Sequence, residues 1–317
     1  MRMWVLRRLG GSIVLIFLVV SLVFLGLRLV PGDPAAALLS QGGGSVSAES
    51  VAKLRTQLGL DLPIWRQYLD NLAAVLRGDL GVSMQDGASV AREITVRLPR
   101  TLELVLLAAV ISFAVGAPMG LYAATRAGGP LDRTGLALAA FSVSVPNFVV
   151  GSLMVLVFAS MLRWLPTGGY VPISQDIARH FGLALMPAVT MAIGLFALVF
   201  RMMRSTCLEV MQRDYVRTAR AKGLTPRRVL FAHVLRTAVM PVMAAFALNL
   251  GILVGSAVLV EYVFNYPGLS SLMIGAVNAR DYPMVQGCVL VISVIFVGLN
   301  LIVDLAYGWL DPRMRRA

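Results

Sequence analysis

A chain of 317 residues that is 58% hydrophobic and only 14% charged, with mean hydropathy +0.80, lacks the polar surface that a soluble domain of this length needs, so it is an integral membrane protein. Its net charge of +12 and pI near 10.6 bring nucleic acid to mind, but the basic residues flank apolar runs and form no base-reading or stacking face, which excludes that partner. Cys207 and Cys288 lie at opposite ends of the spans assigned below and fit no metal-type spacing, which excludes a disulfide framework and a cysteine metal site.

Arg2, Arg7 and Arg8 precede an apolar run over residues 9–27, long enough to cross a hydrocarbon core of about 30 Å. A cleaved signal peptide has the same polarity. This run is longer than a usual signal core, however, and Pro31-Gly32-Asp33-Pro34 follows it in place of a small-x-small cleavage site. The expectation is an uncleaved transmembrane helix over 1–30.

Residues 31–100 form the long polar region. A turn-rich opening and the flexible Gln41-Gly42-Gly43-Gly44-Ser45 stretch lead into two short amphipathic helices. The first places Val51, Leu54 and Leu58 on one face and stops at Gly59. The second starts near Pro63, spaces Trp65, Tyr68, Leu69, Leu72 and Leu76 helically, and stops before Gly78. Two readings stand: packing on the membrane surface and the outer span ends, or a plug or docking surface at a pore mouth.

Apolar runs then recur over 102–124, 136–162, 183–200, 242–260 and 285–305. With the first run they make six spans, which puts both termini on one side. That side carries 17 basic residues against five acids, and the whole excess of +12 lies there, so the positive-inside rule makes it cytoplasmic. The expected organisation is an all-α, six-helix membrane protein. An N-terminal transmembrane helix (1–30) and an extracytoplasmic region (31–100) precede a five-helix core (101–309). That core carries a cytoplasmic segment (210–241), and a cytoplasmic tail (310–317) follows.

Gly116 and Gly120 around Pro118, and Gly251 with Gly255, are small-xxx-small pairs that fit internal packing or a partner interface equally well. No ionisable residue falls mid-span. Arg28, Glu103, Glu261 and Asp304 fall near span ends, where they are expected to reach interface or water. A secondary transporter or channel calls for an intramembrane charge, a filter or paired broken helices, and an intramembrane enzyme calls for catalytic polar groups in the spans. The two histidines, His180 and His233, fall outside them. Neither class is favoured.

The segment between the fourth and fifth runs is the polar feature on the basic side. Residues 210–222 contain no helix breaker and end at Gly223, a C′ residue. Thr225-Pro226 then reads as an N-cap followed by proline in the first turn. A second helix runs through Arg227, Arg228, His233 and Arg236 until Pro241 opens the next span. Small residues leave the turn accessible, Tyr215 is an aromatic anchor, and Arg217, Arg220 and Lys222 are free to meet acidic rims. Composition alone leaves a protein-docking reading and a lipid-anchoring reading open.

The string Asp214-Tyr215-Val216-Arg217-Thr218-Ala219-Arg220-Ala221-Lys222-Gly223-Leu224 resembles the coupling segment of peptide-type ABC importer permeases. Other strings extend the resemblance along nearly the whole chain: Leu29-Val30-Pro31-Gly32-Asp33-Pro34, Arg97-Leu98-Pro99-Arg100-Thr101-Leu102-Glu103-Leu104, Ser144-Val145-Pro146-Asn147-Phe148 and Trp164-Leu165-Pro166-Thr167-Gly168-Gly169. Val260-Glu261-Tyr262-Val263-Phe264-Asn265-Tyr266-Pro267-Gly268-Leu269, Arg280-Asp281-Tyr282-Pro283 and Leu310-Asp311-Pro312-Arg313 complete it. The chain is similar to the first permease subunit of dipeptide and oligopeptide importers, a group that includes glutathione and nickel systems. Arg217 and Thr218 stand where the general loop has Glu and Ala, and Pro241 lies farther from Gly223 than usual, departures the peptide branch shares.

The resemblance implies a type I importer permease fold paired with a second, homologous permease as a heterodimer. It also implies two cytoplasmic ATPases, an extracytoplasmic substrate-binding protein and lipid around the spans, with no nucleic acid. ATP and Mg would serve those ATPases; this chain, which has no Gly-x-x-x-x-Gly-Lys-Ser/Thr loop, would bind no cofactor and catalyse nothing. The residues implied in docking are Asp214, Tyr215, Arg217, Thr218, Ala219, Arg220, Ala221, Lys222 and Gly223. Tyr215, Ala219 and Gly223 are the foremost of them. Ser144, Asn147, Asn249 and Ser256 are polar candidates for a translocation path, with Ser142 and Thr190 behind them and Met186, Met191, Met202 and Met203 as adaptable lining.

Overall fold

The computed structural model describes residues 2–29, 35–36, 39, 47–57 and 59–310. The strings at 31–34 and 41–45, residue Leu58, and the 311–317 tail lie outside them. The regular structure of the described residues is helical apart from a lone antiparallel bridge between Val82 and Ser89. Its helices are α1 (Arg2–Leu29), α2 (Ala48–Gln57), α3 (Ile64–Leu76), α4 (Val90–Thr125), α5 (Pro130–Ser144) and α6 (Asn147–Met161). They continue with α7 (Ile177–Met211), α8 (Asp214–Ala221), α9 (Pro226–Val263), α10 (Leu269–Asn278) and α11 (Tyr282–Leu310).

Five of these, α1, α4, α7, α9 and α11, are long and apolar enough to cross a membrane. The expected span over 136–162 is broken: α5 and α6 meet at 107°, and the count reaches six only if this bent pair is one span. The cause is local. Pro146 excludes the helical region for the residue before it, and Val145 is extended (φ −107°, ψ 126°).

Two boundaries in the basic segment also differ from expectation. A helix continuing from residue 210 to 222 would carry Val210 and Val216 about 120° apart on its surface. Both are buried, at 1% and 0% exposure. The chain satisfies both by ending α7 at Met211, extending Arg213 (φ −72°, ψ 145°) and starting α8 at Asp214. Pro241, in turn, opens no span. It lies inside α9, which runs unbroken for 38 residues from Pro226 and widens into π-helical turns over Val229–Leu235. A proline forgoes one backbone donor, and a long apolar helix accommodates that loss.

The chain divides into two compact units, Met1–Arg100 with Gly268–Leu301, and Thr101–Pro267 with Ile302–Ala317. In the first, Val90 and Ile94 of α4 pack with Leu269 and Ala276 of α10 and with Met284, Val285 and Cys288 of α11. Gly287 makes that approach possible, since a Cβ there would lie 2.5 Å from Val90 Cγ1. The α3 helix is docked by Tyr68, which meets the Phe24 ring edge-on at 5.4 Å and bonds Ser21 at 2.7 Å, and by Asn71, which donates to Gln286. Its apolar stripe is split. Tyr68 and Leu72 are half-buried, while Trp65, Leu69 and Leu76 stay exposed.

In the second unit α7 is the axis, packed by α9, α5 and α6. Gly116 and Gly120 of α4 serve internal packing here. Phe200 O would be 2.6 Å from a Cβ at Gly120, and Val199 Cβ 3.1 Å from one at Gly116. Glu261 corrects the expectation of solvated end charges: it is fully buried and accepts from Thr101 Oγ1 at 2.5 Å. Glu103 pairs with His180, itself 3% exposed, whose Nδ1 lies 2.7 Å from Val171 O. A backbone carbonyl can only accept, so Nδ1 carries a proton in this arrangement.

Candidate functional site

The basic segment is built on α8. Asp214 opens the helix with a negative charge in its first turn and Arg220 closes it with a positive one, both favourable to the helix dipole. Val216 and Ala219, three residues apart, form its buried edge. Tyr215 is 42% exposed and its hydroxyl donates to Thr237 Oγ1 at 3.1 Å, which ties α8 to the first turns of α9. Lys222 caps the helix, Gly223 follows at φ +80° with open space where a Cβ would be, and Thr225 Oγ1 accepts from Arg228 N as the N-cap of α9.

The nine expected docking residues therefore sort by exposure. Asp214, Tyr215, Arg217, Thr218, Arg220, Ala221, Lys222 and Gly223 are outward, and Ala219 is turned into its own chain at 6% exposure. Its small side chain serves the packing of α8. The ion pairs here are short-range and solvated: Arg213 with Glu209 at 2.8 Å, Arg217 with Asp214 at 3.5 Å. Glu209 holds the Arg213 guanidinium above its ordinary value through a hydrogen bond.

A different carboxylate on this side of the sequence is buried. Asp132, near the start of α5, is 2% exposed and takes a two-pronged bond from Arg204 of α7, with Nη2 to Oδ2 at 2.8 Å, and a third from Gly128 N at 2.7 Å. Close packing surrounds it, since a Cβ at Gly135 would lie 2.3 Å from the Phe200 ring. Nothing in their 72-residue separation marks Asp132 and Arg204 as partners.

Most of the path candidates are bonded within their own helices. Among the described residues Ser144, Asn249 and Ser256 bond carbonyls of their own helices, Ala140, Ala245 and Leu253, at 2.8–2.9 Å. Ser142 and Thr190 do the same with Leu138 and Met186. Met186, Met191 and Met203 are at most 1% exposed. Asn147 differs. It is half-buried at the start of α6, beside the break, and faces Gly194 of α7, where a Cβ would lie 3.5 Å from its amide.

Two of the quoted strings meet around Phe264. Gly169 N donates to Phe264 O at 3.1 Å, and a Cβ on Gly168 would fall 1.8 Å from that oxygen, so only glycine fits. Phe264 and Tyr266 are buried, and Tyr170 meets both Tyr266 and His180 edge-on at 5.6 Å. This clamp fixes the loop before α7 to the end of α9. The residue strings carried that signal, although they did not disclose the contact.

The family described as binding-protein-dependent transport system inner membrane component matches residues 116–316, and its N-terminal counterpart matches residues 1–105. The chain is 39% identical over 315 residues to the probable peptide ABC transporter permease protein y4tP of Sinorhizobium fredii, covering 99% of this chain and 100% of that one. It is 36% identical over 341 residues to the dipeptide transport system permease protein DppB of Escherichia coli K12, covering 99% of each. It is 38% identical over 312 residues to the glutathione transport system permease protein GsiC of Salmonella typhimurium, covering 98% of each. Among solved structures it is similar to a chain of the MetNI methionine ABC transporter in inward-facing conformations. The TM-score is 0.54 and the identity 21%, covering 69% of this chain and 96% of that one, a likeness of fold alone.

Proposed function

The chain belongs to the binding-protein-dependent transport system inner membrane components, and from that premise we propose that it is the permease subunit through which an ATP-driven importer moves short peptides. The observation that carries this reading is 36–39% identity over nearly the full length to permeases whose names specify peptide or dipeptide transport. The glutathione permease is equally similar. Glutathione is itself a small peptide, and a nickel chelate is the further alternative within the class. A secondary transporter is the reading from another class, and a single broken helix pair, with the buried Glu261 held by Thr101, does little for it.

The partners in this reading are two ATPases, a substrate-binding protein and a second, homologous permease. ATP and Mg belong to the ATPases, and this chain performs no catalysis. The exposed face of α8 docks on an ATPase on the cytoplasmic side, where the basic excess and both termini lie. Val216 and the Tyr215–Thr237 bond key α8 to α9, a continuous helix about 57 Å long, so a displacement at the docking face travels as rigid-body motion. A partner permease has an apolar surface available on α9, where Leu248, Ile252, Leu259 and Tyr262 are exposed and Gly255 meets nothing within 4 Å. Asn147 is the strongest of the path candidates.

The test is uptake of a labelled dipeptide by the complete transporter carrying Ala221→Glu. This exposed residue sits in ordinary helix, whereas Gly223 at φ +80° would add backbone strain to any substitution. A negative charge in the docking face is expected to lower uptake at least tenfold with membrane insertion unchanged. Uptake at the parent rate would sink the docking assignment.

A further inference from the structure

The α8–α9 turn, the end of α4 and the start of α5 border an open cavity of about 800 Å³. Three guanidinium-bearing residues line it, Arg126, Arg220 and Arg227, and no acidic side chain does. Arg204 and Arg213 each hold a carboxylate, whereas these three have no ion pair among the described residues. Three like charges facing one space repel each other, and an anion placed among them reverses the sign of that energy. The first turn of α9, at Pro226, adds the positive end of a long helix.

The remaining lining identifies the kind of anion. Tyr122, Leu131 and Leu230 are apolar or amphipathic, and they come from the ends of helices that run into the membrane. The size is that of a site for a ligand with tens of atoms, much larger than a bare inorganic ion needs. We propose that this cavity binds the phosphodiester headgroup of an acidic phospholipid, with the arginines on the phosphate oxygens and the apolar wall along the first carbons of the acyl chains. Placing the site at the cytoplasmic leaflet rests on the topology given above. The lipid would sit against the α8–α9 turn and hold its arginines in place.

The experiment uses the purified transporter complex in neutral detergent, titrated with short-chain phosphatidylglycerol, short-chain phosphatidylcholine or inorganic phosphate. Native mass spectrometry counts bound molecules. The expected result is one saturable phosphatidylglycerol site, weakened about tenfold by Arg126→Gln and by Arg227→Gln, the loss of one charge-assisted bond in each case. Arg133→Gln, an exposed arginine outside the cavity, is expected to bind as the parent does. Equal binding of phosphatidylcholine, or indifference to both cavity variants, overturns the proposal. So does inorganic phosphate competing at equal affinity, which would make the site one for a free anion. Binding seen with the permeases alone and abolished by the ATPases overturns it as well, because the cavity would then receive an acidic protein surface. Occupancy is read without transport, so an inactive transporter that still binds phosphatidylglycerol counts against the importer reading alone.

Discussion

Two short polar stretches join helices in this chain and treat their charged groups in opposite ways. In the 79–89 loop, Ser83 Oγ at 2.5 Å and Met84 N at 3.2 Å donate to Asp281, which also accepts from Met284 N at 3.3 Å in the first turn of α11. Asp281 is 3% exposed, and Gln85 adds a bond to Ala279 O. In the 209–226 segment the two acidic groups are solvated, their partners lie three or four residues away, and most basic side chains point outward. A carboxylate enclosed by donors fixes a loop in one geometry. A turn whose charges are left in water keeps its surface for something else to meet.

The largest expected effect comes from an arginine that breaks the pattern of its surroundings. Arg204→Ala would strand the buried Asp132 carboxylate, so the loss is expected to be about 3–5 kcal/mol, read as unfolding of the purified permease in detergent. Near-parent stability would mean that the basic side has no rigid anchor.

Next is Asp281→Ala, which leaves the Ser83 hydroxyl and two backbone N–H groups without their acceptor and is expected to cost about 3 kcal/mol. Asp214→Ala, its counterpart in the loose segment, is expected to leave the unfolding temperature unchanged within error. Equal losses from the two would erase the distinction between the stretches.

The smallest effect concerns Asp86. The Ala88 N–H holds its carboxyl below the usual carboxylate range. A depressed value makes its contribution fully present above that range and lost as the pH falls through the depressed value. The protection of amides 87–89, corrected for the intrinsic exchange rate, is expected to fall on acidification in the parent, and Asp86→Asn to remove that dependence. The same fall in both proteins would place the cause elsewhere.

Much of this was legible in the residues. Gly59 and Gly78 adopt the positive φ that ends a helix, Gly223 does so after α8, and Thr225-Pro226 caps α9, because turn chemistry acts over a few neighbours. The Ser144-Val145-Pro146 string held the information for the 107° break, yet its apolar composition masked the effect of the proline. The opposite error occurred at Pro241, where the α9 helix continues past a residue that usually ends one.

Hydropathy, charge asymmetry and local motifs thus determined the class, the number of apolar runs, the position of the basic segment and the family it resembles. These properties are sums over neighbouring residues or short strings. Tertiary structure alone decided that Ala219 turns inward, that Glu261 is buried and Asp132 clamped, and that three arginines share a cavity. Each of those depends on helices distant in sequence arriving side by side, and no short-range pattern records which charge will find a partner.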